Sequence, residues 1–105
     1  MKNSIERLEL IEEKVGVRLD NLSVRIDNNF KGLKILGEIF SNGESLEQDI
    51  SLISNLYNRD GDLIETKSRG FTKDKFLGYD TFEFFFYKED IALETNKIRI
   101  YTKNR

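Results

Sequence analysis

Five carboxylates fall into two close groups, Asp60, Asp62 and Glu65 in one, Glu89 and Asp90 in the other. Paired carboxylates are the equipment of a glycosidase, one acting as acid and the other as base or nucleophile. All five fall at expected turns or strand exteriors, where acidic residues are ordinary. The stretch Asn58-Arg59-Asp60-Gly61-Asp62 also has part of the pattern of a calcium loop. With Gly61 at the glycine position, however, the first and twelfth ligands would be Leu56 and Lys67, and neither supplies a side-chain oxygen. The segment therefore reads as a hairpin turn. Nucleophilic catalysis has little to work with. The sequence holds no histidine and no cysteine, which removes the Ser–His and Cys–His arrangements, thiol chemistry and the usual zinc sites. A Ser–Lys pair stays formally open, but no spacing marks one. The 7 glycines are dispersed, and no phosphate-binding loop is present. The expectation is a protein that is not an enzyme, with no cofactor and no metal.

Lys67, Arg69, Lys73 and Lys75 interleave with Phe71. Basic residues around an aromatic suit phosphates or single-stranded nucleic acid. Asp74 dilutes the group, and the formal net charge of the chain is −2, so nucleic acid is not the favoured partner. The plain reading is a solvated loop and the functional one an anion-binding loop. Asn21-Leu22-Ser23 matches the glycosylation tripeptide, a pattern common by chance.

The start of the chain is not a secretory signal, because Glu6 and Arg7 interrupt it before an apolar run can form. No apolar run approaches the roughly 20 residues of a membrane-spanning helix. The expectation is a soluble, cytoplasmic protein, or an extracytoplasmic one if this is a domain excised from a longer chain.

The elements that must position these groups follow from periodicity. Ile5, Leu8, Ile11 and Val15 recur at helical spacing, predicting a helix over 3–15 with Asn3 as N-cap, Glu6 completing a capping box and Gly16 as the stop. From residue 17 the period becomes two. Leu22, Val24 and Ile26 oppose Ser23, Arg25 and Asp27. Leu33, Ile35 and Ile39 oppose Lys34, Leu36, Glu38 and Phe40. Asn42-Gly43 supplies a hairpin signal, residues 49–58 a long strand, and 58–61 a type I turn followed by a left-handed glycine. Strands over 62–68, 81–87 and 97–103 complete the set, with a polar connection over 69–80 and a loop or one helical turn over 88–96. Few helices and many short strands predict one mainly β domain. It would be an antiparallel, immunoglobulin-like β-sandwich of six to seven strands over 17–105, with the helix of 1–16 packed on it.

Thr81-Phe82-Glu83-Phe84-Phe85-Phe86-Tyr87 is the densest aromatic segment. Alternation sends Phe82, Phe84 and Phe86 to one face, which suits a sandwich interior. Phe85 and Tyr87 point the other way, where a solvated sheet face does not ordinarily carry two large aromatics. Something should cover them. The predicted helix is one candidate; a second copy, another domain or a ligand is the other. Leu36, Phe40, Ile53 and Tyr57 are expected on the same patch.

The stretch from Gly37 to Asn42, then Leu56-Tyr57, Asp60-Gly61 and Gly78 to Phe82, resembles the FxLYD-type bacterial β-sandwich domains. Ser54 stands where that family carries an aromatic, and Asn58 replaces its aspartate. The resemblance spans about Leu22 to Tyr101 and implies an immunoglobulin-like fold with no catalytic residues. The sequence thus points to a non-enzymatic interaction or assembly module. Its partner would be a protein or a second copy, met through Phe85, Tyr87, Tyr57, Phe40 and Leu36. The alternative is a carbohydrate or small-ligand binder using Tyr57, Tyr79 and Tyr87; a small ligand is the less expected partner.

Overall fold

Alternation in the sequence becomes two facing sheets in the computed structural model, which describes residues 5–26, 32–43 and 45–105. The elements run β1 (Ile5–Arg7), α1 (Glu9–Val15), β2 (Val17–Ile26), β3 (Leu33–Ser41), β4 (Ile50–Tyr57), β5 (Leu63–Phe71), β6 (Tyr79–Phe86), α2 (Ile91–Glu94) and β7 (Lys97–Asn104). One sheet has the order β1-β7-β4-β5 and the other β2-β3-β6. The two sheets thus hold four and three strands. All neighbouring pairs are antiparallel except β1 and β7, which run parallel.

The inward residues are those the period of two selects. Leu33, Ile35 and Ile39 of β3 and Phe82, Phe84 and Phe86 of β6 meet Ile50, Leu52 and Leu56 of β4 and Ile98 and Ile100 of β7, all buried. Two polar residues share this interior. Ser54 and Thr102 are fully buried, and neither hydroxyl has a hydrogen-bond partner. An unpaired buried hydroxyl costs free energy that an apolar isostere does not. Thr102→Val should therefore raise unfolding stability by about 1 kcal/mol, measured as a higher urea midpoint at unchanged slope.

The predicted first helix is half strand. Residues 5–7 extend along β7, and the helix occupies only Glu9–Val15. The expected cap Asn3 lies outside the described residues. Glu6 is no capping-box residue: its carboxylate meets Lys97 Nζ at 2.7 Å and Arg99 Nε at 2.9 Å. Ile5 fits either period, since it packs at the core margin as a strand residue. Gly16 does stop the helix, at φ 86°, its N–H bonding Glu12 O at 2.9 Å. The helix links the edge strands β1 and β2 of opposite sheets and packs against β7 and β2. It therefore closes one side of the sandwich and leaves the β6 side alone.

What fastens it is an ion pair. Arg7 reaches Glu12 through Nε at 3.1 Å and Nη2 at 2.5 Å. Glu12 Oε1 also accepts the Leu19 N–H at 2.9 Å, and Arg7 donates to Leu19 O at 2.6 Å. Glu12 is 2% exposed. Its charge is tolerated there because both oxygens are engaged, and the same pairing raises the Arg7 pKa above its ordinary value. One cluster thus joins β1, α1 and β2.

Two connections differ from expectation. Asn42-Gly43 does not close a hairpin, because β3 and β4 belong to opposite sheets. Asn42 instead donates its N–H to Gly16 O at 2.9 Å, and the chain crosses over the buried Leu46. The 58–61 turn does close β4 onto β5, with Gly61 at φ 85° and a register shift between Leu56 and Tyr57. β5 continues to Phe71, so the polar connection to β6 is shorter than the sequence suggests.

Candidate functional site

The face of the three-stranded sheet that points away from the core is where the outward-pointing aromatics collect. Register puts them in rows: Arg25, Lys34 and Phe85; Ser23, Leu36 and Glu83; Asp20, Glu38 and Thr81; Arg18, Phe40 and Tyr79. Leu36, Phe40 and Phe85 are half-buried, while Tyr79 and Tyr87 are 46% and 64% exposed. Asp27, expected on this face, lies outside the described residues. Among the described residues no element packs across the face as a layer, and α1 lies at the opposite edge of the sheet from Phe85. The expectation that the helix covers Phe85 and Tyr87 is thereby corrected.

The aromatics form two pairs at opposite ends. Phe85 and Tyr87 stack with centroids 4.1 Å apart and planes 15° apart, and Lys34 Nζ sits 5.4 Å from the Phe85 ring. Phe40 and Tyr79 lie 4.9 Å apart, with Arg18 4.7 Å from the Phe40 ring. Between them runs an open trough of about 390 Å³ over Leu36, bordered by Asn21, Glu38, Thr81 and Glu83.

Arg69 also lines the trough, and Glu38 is held in it by two hydrogen bonds. Tyr79 donates its O–H to Glu38 Oε2 at 2.6 Å, and Asn21 donates through Nδ2 to Oε1. Asn21 reaches there because β2 bulges between Asp20 and Ser23, with Asn21 in the left-handed region at φ 50°. The Tyr79 hydrogen bond, then that of Asn21, holds the Glu38 carboxyl below its ordinary range, and the same Tyr79–Glu38 bond pushes the Tyr79 hydroxyl up. Both shifts lead away from neutrality. A general acid or base works best when it changes protonation near the operating pH, and this pair holds its charges fixed there.

The five residues expected on one surface divide between two. Leu36, Phe40 and Phe85 share the trough face, with Tyr87 just past the end of β6. Tyr57 lies on the outer face of the other sheet, its hydroxyl receiving Asn55 Nδ2 at 3.2 Å and its ring beneath Arg99 at 5.3 Å. Ile53 lies on Tyr57's strand and is buried there. Tyr57, Tyr79 and Tyr87 therefore form no common platform.

The expected basic loop is also divided. Lys67 and Arg69 belong to β5, at positions whose partners on β4 are the inward Ser54 and Leu52. Their side chains leave the core margin and cross to β6. Lys67 donates to Phe85 O, and Arg69 donates to Thr81 O at 2.7 Å while pairing with Asp80 at 3.2 Å. Lys73 and Lys75 stay exposed in the β5–β6 connection, where the Lys73 N–H bonds Asp49 Oδ1 at 2.9 Å. The carboxylates do not converge either. Asn58 Oδ1 takes the N–H groups of Asp60 and Asp62 at 3.0 and 2.9 Å, so the turn's inward amides are already satisfied by the protein. Glu89 and Asp90 are exposed before α2, and among the described residues no three potential ligands gather for a metal. Sequence reasoning missed Asp80, Asn21 and the Glu38–Tyr79 pair. Asn21 alone had a local signal, since Asp-Asn inside a strand marks a bulge or turn.

No protein-family model matches the chain, and no curated protein matches it. Two solved structures share the fold. A DUF1425 family member from Shewanella sp. pv-4 superposes with a TM-score of 0.56 at 14% identity, over 85% of this chain and 78% of that one. Campylobacter jejuni cj0090 gives a TM-score of 0.55 at 13% identity, over 99% of this chain and all of that one. The chain is similar to these small β-rich proteins in fold. Among the described residues no helix is long and apolar enough to cross a membrane.

Proposed function

We propose that this protein is a non-enzymatic interaction module whose binding surface is the outer face of the three-stranded sheet. The observation that carries the reading is the sharing of one sheet face by Leu36, Phe40 and Phe85 with the exposed Tyr79 and Tyr87, on a face that no described element covers. Aromatic residues that are half-buried and ringed by Arg18, Lys34, Glu38 and Glu83 have the make-up of a protein-recognition patch, with apolar anchors inside a polar rim. Sugar stacking is the weaker reading. It needs open ring faces side by side, whereas Phe85 and Tyr87 are stacked on each other and Arg18 and Lys34 lie over the neighbouring rings.

Sedimentation of the purified chain across concentration, with a Phe85→Ser, Tyr87→Ser variant alongside, is the test. The expected result is concentration-dependent mass in the wild type, lost in a variant whose thermal unfolding is little changed. A variant that loses fold stability while its association is unchanged would overturn the reading, because the two rings would then serve the protein's own packing. Glycan titration that perturbs Tyr79 and Tyr87 would favour the carbohydrate alternative.

A further inference from the structure

An edge strand normally offers a row of unpaired N–H and C=O groups to any neighbour of extended backbone. β6 is such an edge. Ser41 N bonds Gly78 O at 3.0 Å, and the register from there makes the even residues of β6 bond β3, so Tyr79, Thr81, Glu83 and Phe85 turn their backbone groups outward. Three of those groups, at Thr81 and Phe85, are met by side chains rather than a strand. At Thr81 the replacement is complete: Asp80 Oδ1 takes the N–H at 2.8 Å, Arg69 Nη1 gives to the C=O at 2.7 Å, and Arg69 and Asp80 bind each other. At Phe85, Lys67 takes the C=O. Both cations come from inward positions of β5, the edge strand of the opposite sheet, and their charged ends sit over aromatic rings, Lys67 Nζ 5.6 Å from the Phe86 ring and the Arg69 guanidinium 4.7 Å from the Phe71 ring.

We infer that the β6 edge is a strand-pairing surface held shut by Lys67, Arg69 and Asp80, and that its occupant when opened is β6 of a second copy of this chain. The edge is self-complementary in one antiparallel register. With Phe82 opposite Phe82 of the copy, Thr81 faces Glu83 and Tyr79 faces Phe85, so aromatics pair across the junction and no two like charges stand opposite each other. The register centred one pair further along would oppose Glu83 to Glu83. This inference concerns the strand edge and does not depend on the binding role of the sheet face.

The test removes the donors but keeps their length. In K67M/R69M the stems can still pack, while neither side chain can bond a carbonyl. The expected result is a doubling of sedimenting mass relative to wild type, with slowed amide exchange at Thr81 and Glu83. Adding Glu83→Pro should return the wild-type mass, since an outward-facing edge position tolerates proline but cannot then donate. If the double variant fails to fold, R69M alone opens Thr81 and should show the same change at higher concentration. A folded variant that keeps the wild-type mass overturns the inference. So does association that survives Glu83→Pro, which would reflect the added methionines.

Discussion

Replacing Glu12 by alanine should cost about 3 kcal/mol of unfolding stability, the low end of the range for breaking a buried ion pair. The low end applies because the Arg7 side chain keeps 30% exposure and can recover some hydration. The loss has two parts. Arg7 would be left without its carboxylate, and the Leu19 N–H would lose its acceptor in a buried setting. Domains of this size hold about 5–15 kcal/mol in all, so the variant should fold but unfold at markedly lower urea. Glu12→Gln should lose less, because an amide oxygen can still accept from Leu19. The diagnostic is the double variant Arg7→Met, Glu12→Met, which should recover the part of the loss due to the unpaired charge but not the part due to Leu19, whose N–H and C=O both stay without their side-chain partners. If the double variant is as unstable as Glu12→Ala, the cluster matters through its bonds to Leu19 and not through the unpaired charge.

Gly37→Ala should be strongly destabilising for the addition of a single methyl group. A Cβ at Gly37 would lie 2.5 Å from Phe82 Cζ and 2.7 Å from Leu22 Cδ2, closer than real contacts allow. Gly37 and Phe82 are cross-strand partners, and the ring fills the space the glycine leaves. Relief requires moving a ring that is only 3% exposed, at about 1–3 kcal/mol for an overpacked core. Chemical denaturation would read this directly, and Phe82→Leu in the same chain should restore part of it. Gly70→Ala is the control. Its nearest neighbours are the guanidinium atoms of Arg105, the free end of a flexible side chain, so the cost should be small.

These two sites show where the sequence was legible. Alternation alone placed Leu33, Ile35 and Ile39 against Phe82, Phe84 and Phe86, because side-chain direction on a strand depends only on parity. The 58–61 turn was equally readable, since Asn58 and Gly61 act within four residues. The first helix was half misread because Ile5 satisfies both periods. What decides its state is Glu6 meeting Lys97 and Arg99 more than ninety positions away, which no window reveals. Asn42-Gly43 announced a change of direction correctly but could not say whether the next strand returns or crosses. Gly37 carried a usable hint, because a glycine inside a strand marks close approach. The roles of Lys67 and Arg69 were hidden, since their partners are backbone atoms, which every residue has.

The parallel pairing of β1 with β7 bears on how the chain reaches this state. β7 occupies an inner place in its sheet, between β1 and β4, yet it follows the other six strands in the sequence. Until residues 97–104 emerge, β1 has no neighbour and β4 has only β5. The three-stranded sheet can form earlier, so its partner layer must wait with Ile50, Leu52 and Leu56 unburied. Contacts spanning nearly the whole sequence also make for slow closure. A growing chain therefore carries a half-built sandwich, exposed to mispairing until β7 arrives.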